Sequence, residues 1–413
     1  MITTPAALST AIADALADPE TSPVTFEDRQ HLAYGLPGIA LLHIERAAAG
    51  LAPWSRARDW LAAATRQPVT SGPDSHPFYG APALAHAVAC AADHQPREYE
   101  RALSKLDEQV VRDVRRRLSA AYRRLDAEQL PEFAEFDVIR GLSGYGSYLL
   151  RRQPAGPALR DVLDYCVRLT EPLIDRGETL PGWWVSTSPT GRPGARFSGG
   201  HANHGMSHGV GGLLALLALA ARRGTLVKGQ HDAMRTILAW LDRWQEPPGR
   251  RAWPYWVTRA ELRADGLTPS APRRPSWCYG TAGLARAQQL AALALDDPTR
   301  QVDAEETLAA ALTDPAQLKA TTDSGLCHGF AGLAHVASRV AGDAHPSTTA
   351  QLRAVIPPLL NAVCQPGTNP VSAVSVKGDP GLLDGAAGIA LAVLASSAPA
   401  PPRTAWDACL LIA

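Results

Sequence analysis

The sequence is poor in cysteine, in aromatic residues and in net charge. Six cysteines among 413 residues are too few for the disulfide framework of a small secreted protein, and they favour a reducing compartment. Lys and Arg together number 40, as do Asp and Glu, so the formal net charge is zero. A balanced chain offers no long-range attraction to phosphate, so nucleic-acid binding is not expected.

Long hydrophobic runs are also missing. The most apolar stretches follow Gly209 and Gly385 and extend over about 12 to 13 residues, whereas a membrane-spanning helix needs roughly 20. The N-terminal residues lack a basic region followed by an apolar run, so neither a secretory signal nor a transmembrane segment is expected. With 46% hydrophobic residues, the chain has enough material for a large core.

Glycine is arranged in a repeat. A Gly-x-x-Gly turn followed by an apolar stretch occurs six times, and a degenerate copy at Gly80 has alanine in place of the second glycine. Ala and Leu dominate after each turn and β-branched residues are scarce, which predicts a helix buried on most sides. The six complete copies begin at Gly35, Gly141, Gly209, Gly280, Gly329 and Gly385.

More polar, amphipathic segments separate the copies. One has apolar residues at Val111, Val114, Leu118, Ala121 and Leu125, which is the spacing of one helix face. The predicted fold is therefore all-α, an α/α toroid of about seven inner and seven outer helices with the Gly-x-x-Gly turns at the active-site end. The glycines would let helix ends crowd near the axis, where a Cβ would clash. A linear solenoid is the alternative, but neither terminal copy looks like a polar cap.

No internal linker is evident, so residues 1–413 are predicted to form a single domain. The Pro- and Gly-rich stretch from Pro181 to Gly200 is interpreted as a long loop at the same end as the turns. The charged segment 94–135 is a candidate helical insertion. Its arginine run is interpreted as a solvated helix face, with a surface that docks a peptide or partner as the alternative.

Two turns carry cysteine at their entrance, in the sequences Trp-Cys-Tyr-Gly ending at Gly280 and Cys-His-Gly ending at Gly329. If neighbouring turns converge, Cys278, Cys327 and His328 come together, and two thiolates with one imidazole suit Zn²⁺. Three protein ligands leave a fourth position open for an incoming thiolate, which is the catalytic pattern. The alternative is a small buried apolar side chain, which is the interpretation for Cys90, Cys166, Cys364 and Cys409.

A histidine occupies the corresponding position of a third turn. His208 directly precedes Gly209, and a histidine facing the same cavity can exchange a proton near neutral pH. Asp137, four residues before Gly141, is a candidate to orient a histidine or to cap a helix. Arg274, shortly before the first cysteine turn, is a candidate to hold a carboxylate or a substrate carbonyl.

These motifs resemble the lanthionine synthetase C-like family, and within it the stand-alone cyclases of class I lanthipeptide biosynthesis. The resemblance rests on PGWW at 181, the run from Asn203 to Gly209, WCYG at 277, CHG at 327 and the glycine turns, and it covers nearly the whole chain. It implies a toroid of seven inner and seven outer helices with one zinc ion per chain. The implied zinc ligands are Cys278, Cys327 and His328, and the implied catalytic residues are His208, Asp137, Arg274 and Tyr279.

The resemblance also implies an enzyme that forms carbon–sulfur bonds. Such a cyclase adds cysteine thiols of a dehydrated precursor peptide to dehydroalanine or dehydrobutyrine, forming lanthionine or methyllanthionine rings. The implied partners are the leader-bearing precursor, a cognate dehydratase and a peptide exporter. The implied location is cytoplasmic, including a peripheral association with a membrane-bound biosynthetic complex. Ser207 and His204 depart from the family's usual residues, which leaves open whether His204 shares in proton transfer.

Three other functions are compatible with a zinc and thiol site. A prenyltransferase-like toroid would also activate a thiol on zinc, but the quoted motifs favour the cyclase. A zinc deaminase requires a Cys-x-x-Cys pair, which the sequence lacks. A non-catalytic protein that binds a peptide or glutathione through zinc is the third alternative, and the set of four candidate catalytic residues argues against it.

Overall fold

The computed structural model of the protein describes residues 4–192, 194–246, 252–364, 379–398 and 400–413. These ranges contain seventeen α-helices and two small antiparallel sheets, so the all-α prediction is confirmed. None of the helices in them is both long and apolar enough to cross a membrane. The chain divides into two compact units. Unit 1 comprises Met1–Arg112, Thr321–Cys409 and Ala413, and unit 2 comprises Asp113–Ala320 and Leu410–Ile412.

The helices have the following bounds in chain order: α1 (Pro5–Ala15), α2 (Leu36–Ala48), α3 (Trp54–Ala64), α4 (Ala81–Ala92), α5 (Pro96–Asp126), α6 (Phe133–Phe136), α7 (Leu142–Arg152), α8 (Pro157–Arg168), α9 (Val210–Arg222), α10 (Gln230–Arg243), α11 (Arg259–Ala264), α12 (Thr281–Leu295), α13 (Pro298–Ala311), α14 (Pro315–Lys319), α15 (Phe330–Gly342), α16 (Thr349–Val363) and α17 (Ala386–Ser396). The strands are β1 (Leu173–Asp175), β2 (Glu178–Leu180), β3 (His201–Asn203) and β4 (Trp256–Thr258). β1 pairs with β2 and β3 pairs with β4, both antiparallel and both in unit 2.

Two kinds of helix alternate along the chain. Seven repeat helices, α2, α4, α7, α9, α12, α15 and α17, each begin at the residue after a predicted turn glycine. They are buried on nearly all sides, and in α9 every residue from Val210 to Ala220 is buried. Seven connecting helices, α1, α3, α5, α8, α10, α13 and α16, bury mainly one face, as α5 does with Val114, Leu118 and Ala121. The predicted pairing of a buried helix with an amphipathic one is therefore confirmed.

The repeat helices pack side by side within each unit. Their order is α4, α2, α17, α15 in unit 1 and α7, α9, α12 in unit 2. The last repeat helix, α17, thus packs against the first, α2, and also against α1. The terminal repeats of a linear solenoid lie at opposite ends of the molecule, so these contacts exclude the linear alternative.

The turn glycines are required chiefly by their own turns. A Cβ on Gly388 would overlap the carbonyl oxygen of Leu382, six residues earlier in the same turn, and would lie 3.2 Å from the Cβ of Leu326 in the neighbouring turn. Crowding between helix ends, the reason expected from the sequence, is therefore the weaker constraint. The stronger one is the tight return of each turn onto the first residues of its own helix.

The Pro- and Gly-rich stretch between β2 and β3 is a loop, as predicted, with one short helical turn at Ala195–Phe197 among its described residues. Trp183 and Trp184 are buried within it. The segment 94–135 is helical through α5 and α6. That it is an insertion, and that residues 1–413 make a single domain, stay predictions.

Candidate active site and metal centre

In each repeat, the residue before the turn glycine reaches solvent. The glycine is buried in all seven copies, whereas the side chain before it is half-buried or exposed. This pre-glycine position is the one for which the sequence singled out His208, Tyr279 and His328. The seven pre-glycine residues are Tyr34, Tyr79, Arg140, His208, Tyr279, His328 and Asp384.

Backbone hydrogen bonds join consecutive turns of unit 2. The amide of Val138 donates to the carbonyl of Ser207 at 3.0 Å, and the amide of Ser207 donates to the carbonyl of Cys278 at 3.2 Å. The Ser207 hydroxyl donates a second bond to the Cys278 carbonyl at 3.2 Å. These bonds hold the turns before α7, α9 and α12 side by side, which brings His208 next to Tyr279.

The turns of unit 1 are joined in the same direction. The amide of Cys327 donates to the carbonyl of Leu383 at 2.8 Å, and the amide of Leu382 donates to the carbonyl of Ala33 at 2.6 Å. The turn before α15 therefore donates to the turn before α17, and that last turn donates to the first one, before α2. These bonds fix the spacing between neighbouring pre-glycine residues, because the backbone of one turn is hydrogen-bonded to the backbone of its neighbour.

Asp137 and His208 form a direct pair. Oδ2 of Asp137 lies 2.6 Å from Nδ1 of His208, and the side chains are 1% and 34% exposed, respectively. Oδ1 of the same carboxylate accepts the amides of Arg140 at 2.6 Å and Gly141 at 2.7 Å. A carboxylate can only accept, so it holds the proton on Nδ1 and leaves the lone pair of the neutral ring on Nε2. The structure thus joins the two roles, capping and orienting, that the sequence suggested for Asp137.

Tyr279 lies between His208 and Tyr255. Its ring centroid is 6.0 Å from that of His208 and 5.6 Å from that of Tyr255. The Tyr255 hydroxyl donates to the carbonyl of Arg274 at 3.1 Å, which ties the Arg274 segment to this cluster. Burial, followed by the charge of the nearby Cys278 thiol, raises the pKa of Tyr255. The Tyr255 hydroxyl therefore stays protonated at neutral pH.

Cys278 is buried under the same turn. Oγ of Ser276 accepts the amides of Tyr279 at 3.3 Å and Gly280 at 3.1 Å, and it lies 3.5 Å from the sulfur of Cys278. Ser276 thus closes this turn as Asp137 closes the turn before α7. Cys278 belongs to unit 2, so its convergence with Cys327 and His328 stays a prediction.

Two other histidines near these turns are buried and neutral. His204 makes hydrogen bonds with both ring nitrogens: Nδ1 lies 2.9 Å from the carbonyl of Pro254, and Nε2 accepts the indole N–H of Trp240 at 2.8 Å. Burial lowers the pKa of His204 and of His201 to about 4. His204 is therefore a structural histidine, and it has no part in proton transfer near neutral pH.

Unit 1 holds a thiol, an imidazole and a carboxylate in one cluster. Cys327, His328 and Asp384 each offer a ligand atom, and the three atoms lie within 4.8 Å of one another. Oδ2 of Asp323 lies 2.8 Å from Nδ1 of His328, and Oδ1 of Asp384 lies 3.2 Å from Nε2. A carboxylate on one ring nitrogen of a histidine, with the other turned toward further donors, is the usual surrounding of a metal-binding imidazole. The donor set therefore fits Zn²⁺.

Among the residues that the structure describes, no other cysteine belongs to a cluster of three potential metal ligands. Cys90 and Cys166 are buried, as expected, whereas Cys364 and Cys409 are half-buried. Burial raises the pKa of the Cys166 thiol, which keeps it protonated and unreactive.

Three residues of these clusters were not predicted from the sequence. Asp384 could have been found, because it occupies the pre-glycine position of the last turn. Asp323 lies six residues before its glycine and is recognisable only from the folded turn. Tyr255 is placed beside Tyr279 by the pairing of β3 with β4, which links segments about fifty residues apart.

Comparisons with known proteins agree with this architecture. The nisin biosynthesis protein NisC of Lactococcus lactis subsp. lactis is 26% identical over 209 residues, which is 49% of this chain and 49% of that protein. The aligned region thus spans about half the length of that curated relative. A solved structure described as nisin cyclase matches with a TM-score of 0.78, covering 97% of this chain and 96% of that chain at 19% identity, which confirms the predicted fold class. A family model described as lanthionine synthetase C-like protein matches residues 27–411. The chain therefore belongs to the lanthionine synthetase C-like protein family.

Proposed function

We propose that the protein is a zinc-dependent lanthipeptide cyclase. Its substrate is a precursor peptide in which serine or threonine residues have already been dehydrated. A cysteine thiol of that peptide adds to the β-carbon of a dehydroalanine or dehydrobutyrine, giving lanthionine or methyllanthionine. The observation that carries the proposal is the donor set of Cys327 and His328, in which a thiol lies beside an imidazole held through Nδ1, in a chain of this family.

Cys278, Cys327 and His328 are the residues proposed to hold the zinc ion. When bound by two thiolates and one imidazole, zinc keeps a substrate thiol deprotonated and nucleophilic at neutral pH. The contribution of the protein is orientation. Asp323 accepts a hydrogen bond from Nδ1–H and so fixes the tautomer of His328 and the direction of its Nε2.

His208 is proposed to move the proton that completes the reaction. Attack of sulfur on the β-carbon breaks the carbon–carbon π bond, and its electron pair moves onto the neighbouring carbonyl as an enolate. The α-carbon must then gain a proton. The imidazolium of His208 can donate it from Nε2, because Nδ1 is held by Asp137. In sum, one S–H adds across one C=C bond, so no oxidant or reductant is consumed.

Tyr279 and Arg274 are proposed to stabilise the enolate oxygen. Negative charge develops there only during the reaction, and a hydroxyl or guanidinium donor aimed at that oxygen lowers the barrier. The contact between the rings of Tyr279 and His208 supports a shared role. The Tyr255 hydroxyl that bonds to the Arg274 carbonyl supports the position of the arginine.

The partners proposed with this function are the leader-bearing precursor peptide, the dehydratase that prepares it and the exporter that removes the product. A cytoplasmic site of action follows from the reaction, because free cysteine thiols persist in a reducing compartment. Peripheral association with a membrane-bound biosynthetic complex is part of the same proposal.

The test is a thiol count on a dehydrated precursor. The precursor encoded nearest to this protein's gene is dehydrated, incubated with the zinc-loaded protein and sampled for free thiols and for thioether rings by mass spectrometry after thiol alkylation. We expect thiols to disappear much faster than without protein. The variant His208→Ala should retain zinc but lose turnover by about 10²- to 10⁴-fold, the usual contribution of a proton-transfer group.

The same assay separates the competing functions. If the protein binds thiols but rings form only at the uncatalysed rate, it is a peptide- or glutathione-binding protein. That result would overturn the proposal. Consumption of a prenyl diphosphate with transfer to the thiol would identify a prenyltransferase. Ring formation by the protein, abolished when zinc is removed and restored when zinc is returned, supports the cyclase.

A further inference from the structure

His328 lies between two aspartates, one beside each ring nitrogen. Asp323 contacts Nδ1 through Oδ2 at 2.8 Å, and its Oδ1 accepts the amide of Gly325 at 2.9 Å. Asp384 faces the other ring nitrogen, with Oδ1 3.2 Å from Nε2. Asp323 is thus built into its own turn, whereas Asp384 reaches the imidazole from the pre-glycine position of the last turn.

Asp384 adds a carboxylate to the thiol and imidazole of this cluster. Nε2 of His328 and Oδ1 of Asp384 lie 3.2 Å apart, and both are atoms that bind metal ions. The sulfur of Cys327 lies within 4.8 Å of the other two ligand atoms, which adds a third electron-rich atom. An imidazole nitrogen, a carboxylate oxygen and a thiol sulfur thus converge, as the ligands of one ion do.

The distance between Nε2 of His328 and Oδ1 of Asp384 matches the distance between two ligand atoms of one zinc ion. With a Zn–N distance of about 2.05 Å and a Zn–O distance of about 2.1 Å, a tetrahedral angle gives a separation of roughly 3.4 Å. The separation of Nε2 in His328 from Oδ1 in Asp384 is 3.2 Å. Both atoms can therefore bind one ion with little movement.

We propose that Asp384 is a ligand of the metal ion beside Cys327 and His328, and that a substrate thiol competes with its carboxylate for the same coordination position. The role of Asp384 rests on the proposed zinc centre of Cys278, Cys327 and His328. Carboxylate oxygen is an accepted zinc ligand but a harder one than sulfur, so a thiolate can displace it. The Asp384 side chain is 37% exposed, which leaves it room to turn away.

A displaceable carboxylate discriminates between kinds of thiol. A small free thiol must compete with a carboxylate that is tethered beside the ion. A cysteine in a docked peptide is tethered as well, and its high effective concentration offsets the competition. Asp384 thus reduces occupation of the centre by cytoplasmic small thiols and favours cysteines of the bound peptide.

The test measures thiol binding without any turnover. Wild-type protein, Asp384→Asn and Asp384→Ala are loaded with Co²⁺, whose visible absorption reports its ligands, and are titrated with 2-mercaptoethanol, an uncharged thiol. We expect both variants to show an altered spectrum before thiol is added. If the carboxylate occupies its position about nine-tenths of the time in the wild type, both variants should bind the thiol about tenfold more tightly. Far-UV circular dichroism checks that each variant is folded.

Asp323→Asn is the matched control, since it changes the other aspartate on the same imidazole. It should release Co²⁺ more readily to a chelator and should not tighten the binding of 2-mercaptoethanol. An Asp384→Asn spectrum identical to that of the wild type, with unchanged or weaker thiol binding, would overturn the ligand role of Asp384 and leave the zinc centre standing. Wild-type protein that binds no Co²⁺ and no Zn²⁺ would instead overturn the proposed function itself.

Discussion

The carboxylate of Asp137 reaches His208 with one oxygen, at 2.6 Å, while its other oxygen closes the turn before α7. One buried side chain therefore fixes the start of one repeat helix and the imidazole presented by the next repeat. The orientation of His208 is coupled to backbone geometry, because Asp137 cannot turn away without releasing the amide of Gly141. Such a support leaves the ring little freedom.

Asp137→Asn should lower kcat by about 10²- to 10⁴-fold, the range reported for a proton-transfer histidine whose tautomer is disturbed. The amide oxygen can still accept the backbone N–H groups, but the amide nitrogen then offers a proton toward Nδ1 of His208. The proton of the neutral ring moves to Nε2, where the proposed exchange takes place. Steady-state kinetics on dehydrated peptide, with zinc content measured in parallel, checks this.

A second histidine–aspartate pair provides the control. Nε2 of His335 lies 2.8 Å from Oδ2 of Asp407, and both side chains are buried. Asp407 is held by Arg339 as well, and these partners keep the pKa of Asp407 low despite its burial. Asp407→Asn should lower the melting temperature and leave kcat of the folded protein unchanged. An equal loss of kcat in both variants would show that Asp137 acts through stability alone.

The repeat made part of the site predictable. Every repeat helix begins at the residue after its glycine, because the turn depends on neighbouring residues in the sequence and each copy contains them. His208 and His328 were found by aligning copies. Asp384 was not predicted although it occupies the same position, because its turn contains no cysteine or histidine that would mark it as a metal site. Tyr255 was out of reach, because its neighbours are set by long-range strand pairing that leaves no local pattern.

Gly332→Ala should destabilise the protein, although alanine is normally the better helix residue by about 1 kcal/mol. A Cβ at this position would overlap the carbonyl oxygen of Leu326, and backbone atoms cannot yield as a flexible side chain does. We expect a lower melting temperature by differential scanning fluorimetry. Gly342→Ala, at the other end of α15, meets no atom within 4 Å and should be neutral or stabilising. Equal behaviour of the two variants would contradict the steric explanation.

Cys327→Ala should lose zinc, because it removes one of the proposed thiolate ligands and leaves His328 with a weaker donor set. Elemental analysis after dialysis should find well under one equivalent of metal, and ring formation should fall with it. Cys364→Ala is the control, since Cys364 is a half-buried thiol at the end of α16 and lies outside the candidate site. Full zinc retention by Cys327→Ala would remove this residue from the proposed ligand set.

Acid should destabilise the protein between pH 7 and pH 5 through its buried histidines. Burial lowers the pKa of His43, His201 and His204 to about 4, whereas an unfolded histidine titrates near 6.5. Below that value the unfolded chain binds more protons than the folded one. Stability is therefore lost as the pH falls toward 4, by about 2 kcal/mol per histidine at pH 5.

His204→Gln tests one of these contributions, since glutamine cannot take up the proton. The drop in melting temperature from pH 7 to pH 5 should be smaller in His204→Gln than in the wild type, even if the variant is less stable at both values. His231 is exposed on α10, so His231→Gln should show the full wild-type drop. Titrating groups elsewhere, including those at the metal centre, are shared by all three proteins and cancel in the comparison. An identical acid loss in His204→Gln and wild type would mean that His204 is already protonated, or exposed, in the folded state.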